Sequence, residues 1–140
     1  VSPYATVTDL VDRFGESELI DLTDRAQPPA GMIDADVAGK ALADACGEAD
    51  AYLGVRYSLP LTAPVPLVLV AVVCDIARYR LYENRATEEV RKRYEDAVRW
   101  LRDVSRGAAV LPGAAQATGE AAGLAMVVQP GRKVFGGGFA

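Results

Sequence analysis

Apolar residues recur along this chain in two ways. Ala38, Leu42, Ala45, Ala49, Tyr52 and Leu53 follow steps of mostly three and four, and Val90, Tyr94, Ala97, Leu101 and Val104 follow steps of 4, 3, 4 and 3. Such steps place side chains on one face of a helix. The second pattern is a block. Leu67 to Cys74 is eight apolar residues without a break, ended by Asp75 and followed by Arg78, Arg80 and Glu83. A membrane-spanning helix needs about 20 apolar residues, and counted from Val65 through Pro66 this run reaches only ten. The block therefore predicts a core helix, buried on most sides at its start and on one face at its end.

Turn and cap residues set the boundaries. Thr6 or Thr8 can cap a short helix through Phe14, and Gly15 can end it in the left-handed conformation. Glu16 to Asp24 reads as a second short helix, with Leu19, Ile20 and Leu22 as its apolar positions. Gln27-Pro28-Pro29-Ala30-Gly31 is a loop. Asp34 predicts the N-cap of a long helix to about Arg56, rich in alanine and glycine and so open to close approach. Pro64 and Pro66 begin the helix that contains the apolar block, which runs to about Glu83; proline suits a first turn, where its missing N–H would be unpaired anyway. Thr87 caps the last long helix, Glu88 and Glu89 suit its positive end, and Gly107 stops it. The expected fold class is all-α: a small bundle of three long helices preceded by two short ones.

After Gly107 the composition changes. Residues 108–140 hold seven of the thirteen glycines and no helical stripe. Leu124 to Val128 could form a short strand, with a turn at Gln129-Pro130-Gly131. The chain then reads GRKVFGGGFA, two cations and three large apolar residues among glycines. A disordered tail and an arm that orders against a partner both fit this composition. The expected division is a helical bundle over 1–107 and an extended Gly/Ala-rich C-terminal arm over 108–140.

Composition and charge narrow the function classes. The 140 residues suit one domain, and 51 % hydrophobic with 24 % charged is ordinary for a soluble globular protein. The net charge of −4 gives no global nucleic-acid signal, and no basic segment followed by an apolar core predicts a secretory leader. The charge is divided unevenly. Residues 1–50 carry eleven acids and three bases, net −8, while residues 51–140 carry eight acids and twelve bases, net +4. Solvated faces with i, i+4 pairs (Glu89/Arg93, Glu95/Arg99, Arg99/Asp103) are one reading. Head-to-tail association of copies, acidic face to basic face, is another; such a contact closes into a ring if the rotation allows. Arg78, Arg80, Arg91 and Arg99 are the candidate subunit-interface residues. A small helical nucleic-acid-binding regulator using these cations is the alternative function, weakened by the interleaved acids and by the lack of an aromatic–basic stacking pattern.

Chemistry for catalysis is sparse. There is no histidine, so the commonest general base and metal ligand is missing. Cys46 and Cys74 lie in apolar helical stretches and read as buried free thiols. Two cysteines without histidine do not make a zinc site. Asp34/Asp36 and Glu88/Glu89 sit at helix starts, where capping and the helix dipole account for them. No phosphate-binding glycine loop occurs. No enzyme activity, metal or cofactor is expected.

Four stretches carry a family resemblance: YATVTDLVDRFGESELIDLTDR, IDADVAGKALADACGEADAYLGVRYSLPL, VCDIARYRLYE and EEVRKRYEDAVRWLRDVSRG, which together cover most of Tyr4 to Gly107. In this order they resemble the Mu-like prophage head–tail connector (adaptor) family, and the terminal GRKVFGGGF resembles the family's short motif around a phenylalanine. The resemblance implies a virion structural protein at the head–tail interface, made in the host cytoplasm. It implies a ring, commonly of twelve copies, between the portal and the stopper or tail-completion protein, with DNA passing through the channel without sequence-specific binding and with no membrane involved. In that setting Leu67 to Cys74 would be the central core helix, with Tyr57, Leu59 and Pro60 as the corner that turns the chain onto it. Arg132, Lys133, Val134, Phe135 and Phe139 would be the portal-binding arm.

Overall fold

The computed structural model describes residues 4–59, 61 and 64–112. They form five α-helices: α1 (Val7–Phe14), α2 (Glu16–Thr23), α3 (Ala35–Leu53), α4 (Leu67–Tyr82) and α5 (Glu88–Ser105), with a 3-10 turn, Glu83–Arg85, between α4 and α5. The expected all-α bundle of two short and three longer helices is what forms. The strand expected at Leu124–Val128 lies outside the described residues.

Local chemistry places the ends. Thr6 starts α1 with a reciprocal box: its hydroxyl accepts from the Asp9 N–H at 3.1 Å, and the Asp9 carboxylate accepts from the Thr6 N–H at 2.8 Å. Asp34 caps α3 by accepting from the N–H groups of Asp36 and Val37, and the Thr87 hydroxyl accepts from Val90 N–H. Gly15 closes α1 and opens α2 in one residue. Its φ of 92° with ψ of 148° is an extended mirror conformation rather than the left-handed helical one expected, because the chain has to leave one helix and enter the next without an intervening loop. Asp24 closes the loop before α3; its carboxylate accepts from Gly31 N–H at 2.7 Å and Ala30 N–H at 3.1 Å, and these bonds hold it below the ordinary carboxylate value.

The core is shared by all five helices. Leu10, Leu19, Leu42, Leu53, Leu69, Ile76 and Leu101 are fully buried in it. On α3 the buried stripe includes Ala38, Ala41, Leu42, Ala45, Cys46, Ala49 and Leu53, so small side chains do face the neighbouring helices, while Tyr52 is only half-buried. On α5 Val90, Ala97, Leu101 and Val104 are buried and Tyr94 is half-buried.

Contacts between α3, α4 and α5 fix their directions. Glu48 on α3 meets both Arg80 on α4 and Tyr94 on α5. Further along, the Tyr57 hydroxyl accepts from Leu111 N–H at 2.9 Å. So α3 and α5 run the same way, and α4 runs against both. The start of α4 therefore lies at the bundle end where α3 and α5 finish.

Three expectations change. Helix α3 stops at Leu53 rather than near Arg56, with Gly54 as its C-cap. Pro66 is the N-cap of α4 rather than a first-turn residue. The apolar block is buried in the reverse sense to the one expected: Leu67 is 79 % exposed and Val68 37 %, while Leu69, Val73, Cys74 and Ile76 are at 0 %. The cause is register. Helix α4 begins beyond the end of α3, so its first turn has no helix on that side, and its polar second half is pressed between α1, α2, α3 and α5. Beyond α5 the chain still packs on the bundle, for Leu111 is 1 % exposed.

Candidate functional site

The cations singled out from the sequence are placed by their acids. The Arg78 guanidinium donates to both oxygens of Glu18, Nε to Oε2 at 2.7 Å and an Nη to Oε1 at 3.2 Å. The Tyr82 hydroxyl donates to the same Glu18 at 3.1 Å, and the Arg78 guanidinium lies 4.3 Å from the centre of the Phe14 ring. This one side chain thus joins α4 to α2 by a two-toothed ion pair and to α1 by a cation–π contact. Burial alone would lower the Arg78 pKa, but the Glu18 hydrogen bond and charge outweigh it and raise the pKa.

Glu48 forms a second junction. It accepts from Arg80 and from the Tyr94 hydroxyl, both at 2.8 Å. Tyr94 stacks on Tyr79 with ring centres 4.1 Å apart. Burial, then the bond to Glu48, pushes the Tyr94 hydroxyl up to about 12. A third polar contact joins Asp75 to Arg93 at 3.8 Å; burial raises the Asp75 carboxyl despite the arginine. The Tyr4 hydroxyl donates to Asp50 at 2.5 Å and anchors the N-terminal segment along α3.

Two surface clefts stand out, the first beside the Glu18 junction. One of about 620 Å³ is lined by Phe14, Ser17, Glu18, Asp21, Leu22, Tyr82 and Arg85. Of its two carboxylates, Glu18 is already taken by Arg78 and Tyr82. The other, about 520 Å³, lies between the start of α1 and the first half of α3. Among the described residues no group of three or more His, Cys, Asp or Glu side chains could hold a metal ion, and no helix is long and apolar enough to cross a membrane.

The sequence model of the family described as Bacteriophage Mu, Gp36 matches residues 4–129. This chain belongs to that family. Its relatives include gene product J of Escherichia phage Mu, 42 % identical over 104 residues, covering 74 % of this chain and 72 % of that protein. Another is the Mu-like prophage FluMu protein gp36 of Haemophilus influenzae, 48 % identical over 81 residues, covering 58 % of this chain and 57 % of that protein. The resemblance drawn from four sequence stretches is therefore correct at the level of the family, and the match takes in the whole five-helix bundle.

Within this Gp36-family bundle the candidate residues separate into groups. Arg78 and Arg80 are engaged inside the molecule, Arg78 with its side chain 14 % exposed and Arg80 with 40 %. Arg99 pairs one turn back with Asp96 at 2.8 Å, in place of the expected Glu95 or Asp103. Glu89 and Arg93 do pair, at 3.7 Å. Arg91 is exposed on α5, with no ion pair to another described residue. Arg132, Lys133, Val134, Phe135 and Phe139 lie outside the described residues. Sequence reasoning missed Glu18 and Glu48 as the partners of α4, because residues 60 and 32 positions apart meet only once the fold is known. It also missed the exposed start of α4. A signal was present: from Ala51 to Cys74 the sequence has no acid and a single cation, Arg56, a composition that marks a whole corner of the bundle rather than a core helix alone.

Proposed function

We propose that this protein is a structural head–tail connector of a tailed phage or prophage, built to stand between the portal and the stopper or tail-completion protein. The observation that carries the reading is membership of the phage Mu Gp36 family over the whole bundle. The internal ion pairs support it: three of the cations that a nucleic-acid regulator would need, Arg78, Arg80 and Arg99, are held by Glu18, Glu48 and Asp96. Copies assemble as a ring, commonly of twelve, at the head–tail interface of the virion, and DNA passes through the channel without being read. Arg91 takes part in contacts between copies, with Arg80 and Arg99 contributing through their exposed edges. Arg132, Lys133, Val134, Phe135 and Phe139 grip the portal: two cations supply attraction that salt weakens, and each phenylalanine supplies roughly 1.5–3 kcal/mol when fully buried.

The test is genetic and physical together. Deleting the reading frame from its phage should leave DNA-filled heads and free tails that do not join. Purified protein should bind isolated portal rings, and Phe135→Ala with Phe139→Ala should abolish that binding while leaving helix content intact. Normal virion yield without the protein would sink the proposal.

A further inference from the structure

Among the described residues six large apolar side chains are exposed: Met32, Val55, Leu59, Leu67, Val68 and Val110. Five of them, all but Met32, belong to one end of the bundle. Val55 and Leu59 follow α3, Leu67 and Val68 open α4, and Val110 follows α5. Contacts hold the segments after α3 and α5 together. A Cβ on Gly54 would lie 3.3 Å from the Leu59 side chain, and one on Gly107 would lie 2.9 Å from the Arg56 guanidinium. The same end is poor in acid: Ala51 to Cys74 contain none, and from Arg102 to Pro112 Asp103 is the one acid against Arg102 and Arg106, with Arg56 beside them. An exposed, clustered apolar surface with a positive margin is an interaction surface rather than ordinary scatter.

The opposite end of α3, about 28 Å away along a 19-residue helix, has the complementary character. The 520 Å³ cleft there is floored by Val7, Gly39, Leu42 and Ala43, with nothing within 4 Å of where a Gly39 side chain would begin. Asp36 and Lys40 line it, Asp44 follows one turn on, and the surrounding first 50 residues have a net charge of −8.

We propose that these are the two halves of one contact between copies of this chain: the apolar, cationic end bearing Leu67 and Val68 seats in the apolar-floored cleft beside Gly39 of the next copy, set in that copy's acidic first 50 residues. The proposal rests on the connector reading and names the surfaces through which its ring is built. The chain's own C-terminal segment is the less suitable occupant of the apolar end. Residues 113–140 carry Arg132 and Lys133 against the single acid Glu120, so cation would face cation. The contact joins two different surfaces, so it is head-to-tail and leaves one free half of each kind at every stage until the ring closes.

Complementary blocking tests this. Leu67→Asp with Val68→Asp blocks one half. Gly39→Trp blocks the other, with Asp36→Lys as a second variant of that half in case the tryptophan disturbs α3; circular dichroism checks that each is folded. In sedimentation velocity the wild type should grow in size with concentration. Each blocked protein alone should lose association at least about tenfold. An equimolar mixture should form a one-to-one dimer that goes no further, because only one intact pair of surfaces remains. A mixture that stays monomeric, a blocked variant that assembles like the wild type, or a wild type that never associates would each overturn the assignment. Portal binding separates this from the broader reading. A protein that binds portal rings yet fails the mixing test refutes only these surfaces, whereas one that passes it but never binds portal refutes the connector reading.

Discussion

Gly15 occupies backbone that no other residue adopts cheaply. With φ of 92° and ψ of 148° it lies in a region populated almost only by glycine. Its added side chain would meet nothing within 4 Å, so the penalty of a substitution is backbone strain alone. Gly15→Ala should cost about 1–3 kcal/mol, seen as a lower urea midpoint with an unchanged slope; a midpoint equal to wild type would show that the α1–α2 junction relaxes. Three tyrosines, Tyr4 buried and Tyr82 and Tyr94 half-buried, act at the same scale through protonation. The Tyr94 hydroxyl is pushed up to about 12, by burial first and then by Glu48, and Tyr4 and Tyr82 shift the same way. A folded value above the unfolded one means the native state holds its proton longer. The stabilisation is therefore whole below the ordinary tyrosine value near 10 and fades as pH rises toward 12. Stability should fall across that alkaline window, less steeply in Tyr94→Phe. Equal slopes in the two proteins would mean that Tyr94 does not contribute.

Helix α4 shows what a sequence discloses at the scale of one element and what it withholds. Its existence, its end near Glu83 and its central burial are written in the apolar block and the charges after it. Its exposed first turn is not. A run of eight apolar residues has no periodicity of its own, so the buried face depends on where the neighbouring helices stop, and α3 stops at Leu53. The caps, by contrast, are local: Thr6, Asp34 and Thr87 bond within three residues of themselves, which is why those helix starts could be read directly. Glu18 and Glu48 are distant partners and could not be. The register makes a sharp prediction within the same helix. Leu69→Ala should cost about 2–5 kcal/mol, since its side chain is fully buried. Leu67→Ala, two residues away and mostly exposed, should stay within about 0.5 kcal/mol. Denaturant titration of both variants decides it, and comparable losses would contradict the register.

At the scale of the molecule, the end of the helical part is set by packing rather than by composition. Glycine content changes after Gly107, yet Leu111 is buried and its N–H donates to Tyr57. A chain cut after Gly107 should therefore be less stable than one cut after Pro112 by about 2–5 kcal/mol, the range for losing a buried leucine. Equal melting of the two truncations would place Leu111 outside the cooperative unit.

Burial of the two cysteines gives the protein a clock. Cys46 and Cys74 are both buried and neither is in a disulfide, and burial pushes the Cys74 thiol up to about 12. The thiolate is the reactive form, so at neutral pH a maleimide can reach Cys74 only when the bundle opens. The rate at which native protein is alkylated there reads the frequency of that opening, with no engineered label. The converse is also useful. A single cysteine placed at an exposed position such as Leu67 would react at once while the native thiols stay silent, so a fluorophore can be set at one chosen end of the bundle in the otherwise natural chain.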